Sequence, residues 1–561
     1  MGQLHCGHYL NTDLPIKMFK DNATLTKIFL FFVIGLLFLY PLFTNKFYLS
    51  HDGQAQVARF GAYLKAFNDG DIPLRWAGDL NYRYGSPVLI FYYPLPGILS
   101  IPLYELGATF ESAFKIIVGF SFILSFISFY LWMVELTKNK DSSFLASIVY
   151  GLLPYHFLNL YVRGDIAESL ALAIAPLVFY SIEKLNNTKE IKYAIYLSVL
   201  YSLLILSHNS VSLLMSPIIL IYSLIRAGSK KISIISIASI IIGLFLSSFF
   251  WLPALLEAKY TNSHLFVADM YKNNFPSFVS LIYSKWGFGA SVNDQGGLSP
   301  QIGIVPWIFV LMTGLLIAFK KIKLMNILIF WMIIFIVCVF LTIKPSIFFW
   351  QHLPLLSLLQ FPWRFVGIAS FAAAAIVGIF SPYLNKDKIY LLSALIIIYS
   401  FTFIKIQGIN PKSNQFYLNY PGTTYYHGQA SSIWTAGDFG SFPKKSIDII
   451  GGKGKIADLT RKNSTHTFSV DADTELKILD NTVYFPGWQV LIDGVKNPIE
   501  FQDMYHRGLI TFNVPKGKHS VIVNFKESPM RLLSDIISLF GILVIIMLLM
   551  FNEKIDRFLS K

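Results

Sequence analysis

The chain reads as long apolar runs separated by short polar, basic stretches. A hydrocarbon core about 30 Å thick calls for roughly 20 mostly apolar residues per helix. Spans are therefore expected near 28–45, 112–136, 144–161, 166–183, 192–207, 210–226, 232–255, 302–319, 324–343, 365–382, 389–406 and 530–551. The pattern predicts an all-α polytopic membrane protein with about 12 transmembrane helices. The apolar stretch 88–105 breaks the rhythm, because Pro94, Pro96 and Pro102 interrupt helical hydrogen bonding. Counting it as a span would also place Lys138 and Lys140 outside, so it is expected as a juxtamembrane or re-entrant segment.

The loops set the topology. Lys17, Lys20 and Lys27 precede the first run. On the same side fall Lys138 and Lys140, then Lys184, Lys189 and Lys192, then Arg226, Lys230 and Lys231. Lys320, Lys321 and Lys323, Lys386 and Lys388, and finally Lys554, Arg557 and Lys561 join them. Basic residues collect on the cytoplasmic side, so both termini are expected there, in a multi-pass plasma (inner) membrane protein. No small-residue cleavage site follows the first run, Ile28 to Thr44, so it is expected to remain as an anchor. The expected organisation is a cytoplasmic tail at 1–27, a transmembrane domain at 28–407 with a large first exterior loop at 47–111, an exported domain at 408–529, a last helix at 530–551 and a cytoplasmic tail at 552–561.

The first loop opens with an amphipathic helix. Val57, Phe60, Leu64 and Phe67 share one face, which is expected to lie along the membrane surface. Further exterior stretches are 257–301 and 344–364, the second apolar and proline-bearing and expected in the interface. The region 408–529 changes period. Thr465 to Val470 alternates polar and apolar, Asp493-Gly494 marks a tight hairpin turn, and Pro515-Lys516-Gly517 separates two apolar runs. A small antiparallel β domain, sandwich-like, is expected.

Composition agrees with a membrane class. Of 561 residues, 54% are hydrophobic and only 14% charged, with 50 Phe. The net charge of +14 lies in clusters between apolar runs, so it does not imply nucleic acid as a partner. Cys6 and Cys338, one in a polar tail and one in an apolar run, are not expected to pair. There is no Walker loop, HExxH, nucleophile elbow or paired CxxC, so nucleotide hydrolysis is not expected to drive the protein.

Three exterior constellations could carry chemistry. Asp52, in Ser50-His51-Asp52-Gly53, stands just past the first span, where a carboxylate can serve as general base or metal ligand; an N-cap for the amphipathic helix is the plainer reading. Arg163-Gly164-Asp165-Ile166-Ala167-Glu168 sits at the next exterior mouth. Glu168 there opens an apolar helix at bilayer depth, and the acids also suit a positive helix N-terminus with Arg163 as partner. His208-Asn209 closes the following boundary and reads as an interfacial pair rather than a metal site. Gln360-Phe361-Pro362-Trp363-Arg364 offers a planar cation for a phosphate at headgroup depth, although an interfacial Trp-Arg anchor is the commoner arrangement. In the β region Tyr425, Tyr426, Trp434 and Trp488 could offer faces to sugar, Trp488 equally to a core.

Together these residues resemble GT-C-type glycosyltransferases, with an acidic residue after the first helix, a long first loop and a second acidic site at the next mouth. Gly70-Asp71-Ile72-Pro73-Leu74-Arg75-Trp76, Tyr84-Gly85-Ser86-Pro87, Tyr92-Tyr93-Pro94-Leu95-Pro96, Arg163-Gly164 with Glu168, and Phe361-Pro362-Trp363-Arg364 are similar to motifs of bacterial membrane proteins labelled 6-pyruvoyl-tetrahydropterin synthase-related, akin to the YfhO-like family. Tyr484-Phe485-Pro486-Gly487-Trp488, Asp493-Gly494 and Pro515, Gly517 and His519 resemble the YfhO-like C-terminal module. The resemblance implies inverting transfer of a sugar from a polyprenyl-phosphate-linked donor to a glycan, lipid or protein acceptor at the exterior face. Asp52 would be the base, Glu168 or Asp165 the second acid, and Arg364 the group facing the lipid phosphate, with Arg163, His208, Trp363 and His51 around the substrate. A divalent metal stays open, since a single Asp52 stands where many members carry paired acids. A transporter or flippase of lipid-linked glycan, or a non-catalytic assembly protein, is the alternative; the first would need ionisable groups near the midplane of several spans.

Overall fold

The computed structural model describes residues 21–560 except 45, 264, 266–268, 293–295, 318–323 and 426–427. Cys6, Lys17, Lys20, Lys320, Lys321, Lys323, Tyr426 and Lys561 lie outside the described residues. Among the described residues, six helices are long and apolar enough to cross a membrane: Phe110–Thr137, Ile166–Thr188, Asn209–Arg226, Met325–Thr342, Pro362–Tyr383 and Pro529–Met550. Two bent pairs raise the number to as many as eight, Lys140–Gly151 with Pro154–Arg163 (41°) and Lys230–Leu246 with Ser248–Leu256 (70°). Of the twelve expected spans, those near 28–45, 192–207 and 302–319 correspond to shorter apolar helices, Asn22–Phe38, Ile191–Ser207 and Ile304–Leu315. A helix of 17 residues rises about 26 Å, less than the hydrocarbon core, so Asn22–Phe38 and Ile191–Ser207 fall just short of a full span by length. Lys386–Ser400, near the expected run 389–406, is shorter still.

The first-loop helix Gly53–Asn68 departs from expectation. Val57, Phe60 and Leu64 are buried, and Phe67 is exposed. The apolar face packs on Leu95–Glu105 and on the short helix Asn414–Leu418, so protein covers it rather than a bilayer. The stretch 88–105 forms two short helices, Val88–Phe91 and Leu95–Glu105, with Pro102 inside the second.

The C-terminal domain is an antiparallel two-sheet sandwich. Its strands are β1 (Ile447–Gly451), β2 (Gly454–Arg461), β3 (Thr465–Ala472), β4 (Leu476–Val483), β5 (Trp488–Ile492), β6 (Val495–Asn497), β7 (Leu509–Val514) and β8 (Gly517–Phe525). One sheet has order β1-β4-β7, the other β2-β3-β8-β5-β6. Asp493 and Gly494 both take left-handed φ, 50° and 81°, and join β5 to β6 with Ile492 opposite Val495, as a two-residue hairpin turn requires. β3 alternates buried and half-buried residues over Thr465–Val470. The strands begin only at Ile447; part of the preceding stretch, Asn414–Leu418, docks on the first-loop helix.

The first loop is built into this sandwich. Trp76 joins the β-domain core, edge-on to Trp488 at 5.3 Å, while Arg75 reaches the last span through Glu527 (3.2 Å) and Asp535 (2.7 Å). Trp488 is buried in these contacts, and Tyr425 is buried in the core of the helical domain with its O–H on Asp438 Oδ1 (2.6 Å), so neither presents a face to a sugar. Trp434 is half-buried and stacks on Tyr260 at 5.7 Å.

Candidate functional site

Backbone pairing brings the first two acidic segments together. His51 N–H donates to Val162 O (3.0 Å) and Asp52 N–H to Arg163 O (2.8 Å). On its other side the same strand of chain meets 408–410, with Leu49 N–H on Gly408 O and Asn410 N–H on Phe47 O, both 2.8 Å. Gly164 makes the approach possible. Its φ is +65°, and a Cβ there would stand 2.4 Å from Ser50 Oγ.

Asp52 occupies the residue before the helix Gly53–Asn68, yet its side chain makes no capping bond. Among the described residues none hydrogen-bonds its carboxylate, which remains open to solvent while protein surrounds it. That surrounding protein, and then the nearby Asp165 carboxylate, hold the Asp52 carboxyl above its ordinary range, against smaller opposite effects of Arg163, His51 and Arg59. The capping alternative is thus not realised through the side chain.

The second segment begins with a π-helical turn, Leu158–Arg163, of a kind often found at functional sites. It aims Arg163 inward. The guanidinium donates to Asp165 Oδ2 (2.7 Å), to Glu168 Oε2 and to Asn159 Oδ1, and lies 4.7 Å over the Trp363 ring. Asp165 caps the spanning helix by accepting Glu168 N–H on Oδ1 (2.9 Å), and Tyr155 O–H donates to Glu168 Oε1 (2.6 Å). Both plainer expectations for this motif, helix-end placement and pairing with Arg163, are therefore realised together. Glu168 is 1% exposed.

His208 accepts Val211 N–H on Nδ1 (3.2 Å), which leaves the proton of the neutral ring on Nε2, 3.9 Å from Asp165 Oδ2. Tyr93 lies against the His208 ring (5.3 Å) and accepts Gln56 Nε2–H (2.8 Å). Arg364 donates to Ser210 Oγ and to Gln360 Oε1 (2.8 Å), leaving its buried Nε without a partner. His51 turns away, its Nε2 paired with Phe288 O at 2.9 Å. The structure thus brings Asp52, Arg163, Asp165, Glu168, His208, Trp363 and Arg364 into one cluster and places the His51 ring on its rim.

Sequence reasoning missed Tyr155, His156, Asn159 and Arg59. His156 is buried with Nε2 unpartnered, as is Asn159 Nδ2. Arg59 lies over Tyr92 at 4.4 Å and donates to Thr424 O (2.9 Å). Tyr155, His156 and Asn159 are polar residues inside an apolar run, a weaker signal than charge, and Arg59 is a charged residue on a helix whose pattern reads as a surface element.

Asp165, Glu168 and His208 each offer a ligand atom, all within 4.8 Å of one another. The Arg163 guanidinium already occupies both carboxylates, so the local positive charge is supplied by protein and the donor set does not fit a divalent cation without displacing it.

A family model described as "6-pyruvoyl-tetrahydropterin synthase related domain; membrane protein" matches residues 89–413. Over 241 residues the chain is 26% identical to an uncharacterized protein of Lactococcus lactis subsp. cremoris (strain MG1363), covering 40% of this chain and spanning 39% of that relative's length. Among solved structures, the oligosaccharyltransferase of Archaeoglobus fulgidus in the apo form is 12% identical with a TM-score of 0.43, covering 76% of this chain and 62% of that one. The arabinofuranosyltransferase AftD from Mycobacteria is 13% identical with a TM-score of 0.39, covering 67% and 26%. These two likenesses are too distant to support an argument about the site.

Proposed function

The chain belongs to the 6-pyruvoyl-tetrahydropterin synthase-related family of membrane proteins, and for this member we propose a GT-C-like glycosyltransferase. It transfers a sugar from a polyprenyl-phosphate-linked donor to an acceptor at the exterior face of the plasma membrane, across a helical domain of about twelve spans. The proposed reaction does not rest on the family's label: among the described residues the one cluster of metal-type ligands, Asp165, Glu168 and His208, holds a single histidine.

One observation carries the proposal. Asp52 presents a solvent-open carboxylate with no hydrogen-bond partner among the described residues, held by backbone against a buried cluster of ion pairs, with an unpartnered Arg364 Nε nearby in the same constellation. In the reaction Asp52 accepts the acceptor hydroxyl proton while that oxygen attacks the anomeric carbon. The carbon–oxygen bond to the lipid phosphate breaks, and its electron pair leaves on the phosphate, where Arg364 balances the charge. A single displacement inverts the anomeric configuration. Asp165 and Glu168 fix Arg163, and Arg163 with Trp363 shapes the wall. No nucleotide is needed, because the donor arrives activated.

A flippase would place ionisable groups near the middle of several spans. Here Glu168, Glu183, Arg226, Arg531 and Asp535 stand toward helix ends, which favours chemistry at an interface. The test is mass spectrometry of surface glycans, lipids and glycoproteins from a deletion strain complemented with wild type or Asp52→Asn. Asp52→Asn is expected to reproduce the deletion. Full restoration by Asp52→Asn would leave the assembly-protein reading in its place.

A further inference from the structure

A second site lies at the other end of the first-loop helix. Lys65 is about 20 Å along that helix from Asp52, and there a cleft of about 840 Å³ opens between the first loop and the β sandwich. Its walls carry five cations, Lys65, Arg83, Lys444, Arg461 and Lys462, against two carboxylates, Asp69 and Asp79. The carboxylates are already engaged: Asp79 pairs with Lys65, and Asp69 accepts Asn463 N–H at 2.6 Å. Arg461 holds the wall by donating to Arg83 O (2.6 Å) and to His466 Nε2 (3.2 Å). Lys444 and Lys462 are exposed, and among the described residues neither forms an ion pair. Positive charge is therefore left over in a concave place, where field lines concentrate.

Two further features mark the cleft as built. Asn81, Tyr82 and Arg83 take left-handed φ in succession, 57°, 55° and 67°, a conformation that residues with a Cβ adopt at a cost and seldom three in a row. The surrounding chain holds them there, through Asn81 N–H on Gly422 O (2.9 Å) and Tyr82 N–H on Pro421 O (2.6 Å), and so sets Arg83 at the cleft wall. Phe442 is 47% exposed beside it, edge-on to Tyr82 at 5.2 Å, with the Arg83 guanidinium 5.8 Å from its ring. An exposed aromatic face among unpaired cations suits a sugar ring carrying acid groups.

We infer that this cleft binds an anionic glycan, a chain of sugars or polyols bearing carboxylate or phosphate. Resting on the transfer reading, the bound chain is the acceptor, gripped well away from the end that reaches Asp52. Binding energy gathered remotely then positions the reacting hydroxyl.

The test uses the purified full-length protein in detergent and four probes of matched length: oligogalacturonate, oligo(glycerol phosphate), neutral dextran oligomers and single-stranded DNA. At least one of the two anionic carbohydrate-type probes is expected to bind, with dextran much weaker, and the stronger of the two identifies the acid group as carboxylate or phosphate. Lys444→Glu/Lys462→Glu, both on exposed side chains, is expected to weaken that binding about tenfold or more, while Asp52→Asn leaves it unchanged. Equal binding by the double variant and wild type overturns the assignment. So does DNA binding as tight as the carbohydrate probes, which would mark a bare polyanion surface. Binding intact in a protein whose deletion leaves surface glycans unaltered removes the transfer reading and keeps the cleft.

Discussion

The helix Ile166–Thr188 carries a buried glutamate near each end, and the two ends differ in what is left over. Glu183 is fully buried. Arg226 grips it with two 2.6 Å hydrogen bonds, and Tyr222 O–H adds a third at 2.5 Å. That carboxylate is fully engaged, and the buried donor left over near it is one, Trp331 Nε1, on a ring 5.8 Å from Tyr222. Glu168, about 22 Å away along the axis, is held as firmly by Arg163 and Tyr155. Yet around it stand His156 Nε2, Asn159 Nδ2, Trp363 Nε1 and Arg364 Nε, all buried and unpartnered, with the free Asp52 carboxylate beyond. A buried ion pair is weak evidence of function by itself. What separates a site from a brace is several unused hydrogen-bonding groups gathered beside one, with a free carboxylate among them, against the single Trp331 N–H at the other end.

The contrast breaks most decisively at Asp52. Removing a general base costs about 10²–10⁴-fold in rate, so Asp52→Asn should lose transfer to that extent while its thermal transition stays at or slightly above the wild-type temperature, since the carboxylate makes no bond in the fold and its charge is disfavoured there. A rate within a few fold of wild type would make the two ends equivalent. Glu183→Ala should behave the opposite way. It leaves the buried Tyr222 hydroxyl and the half-buried Arg226 guanidinium without their shared acceptor, a loss of about 1–3 kcal/mol of stability, read as a lowered thermal transition in detergent. Turnover per folded molecule should survive. A folded but inactive Glu183→Ala would move the working end of the helix.

The acid side of the pH profile sharpens the comparison. Asp52 works only ionised, and the protein surrounding it, followed by Asp165, raises its carboxyl above the usual range. The acid limb of kcat/KM should therefore lie above that of a free aspartate, and Asp165→Asn, by removing a like charge, should move it down. The same shift predicts a small stability term of definite sign. A raised carboxyl favours the folded state while protonated, so its contribution is present at low pH and fades as pH climbs through the folded-state value.

Local patterns in the sequence carried over into the structure. The Asp493-Gly494 turn and the alternation of Thr465 to Val470 depend on neighbours only, and both appear as expected. The apolar face of Val57, Phe60 and Leu64 was legible, but not its partner, because amphipathicity says that a face is covered and not by what. Span lengths failed where a bend intervened, at Pro154 and at Ser247, since hydropathy sums across a kink as it does across a straight helix. In the site, the charged members were visible from the rarity of charge. Gly164 could not be weighed, because its role is to admit Ser50 from a distant part of the chain. Tyr155 and Asn159 were hidden for a local reason: the π turn Leu158–Arg163 sets what each of them meets, and no periodicity announces it.

The smallest expected effect concerns the tryptophan at each end. Trp363 lies under Arg163 at 4.7 Å, stacks on Phe361 at 5.1 Å and has a buried Nε1 without a partner. At the other end Trp132 Nε1 donates to Tyr222 O–H (3.3 Å), within the Glu183 brace. Trp363→Leu keeps apolar bulk and removes the ring quadrupole, worth about 0.5–2 kcal/mol, or about 2- to 30-fold in rate if the stacked Arg163 is needed in place. Trp363→Phe retains the π face and deletes only the N–H. If Phe restores the rate that Leu loses, the face holds Arg163 and the N–H is idle. If Phe is as slow as Leu, the unpartnered N–H is itself the working atom, donating to substrate. Trp132→Phe, in contrast, should lower the thermal transition slightly and leave the rate alone, because there the N–H already has its partner.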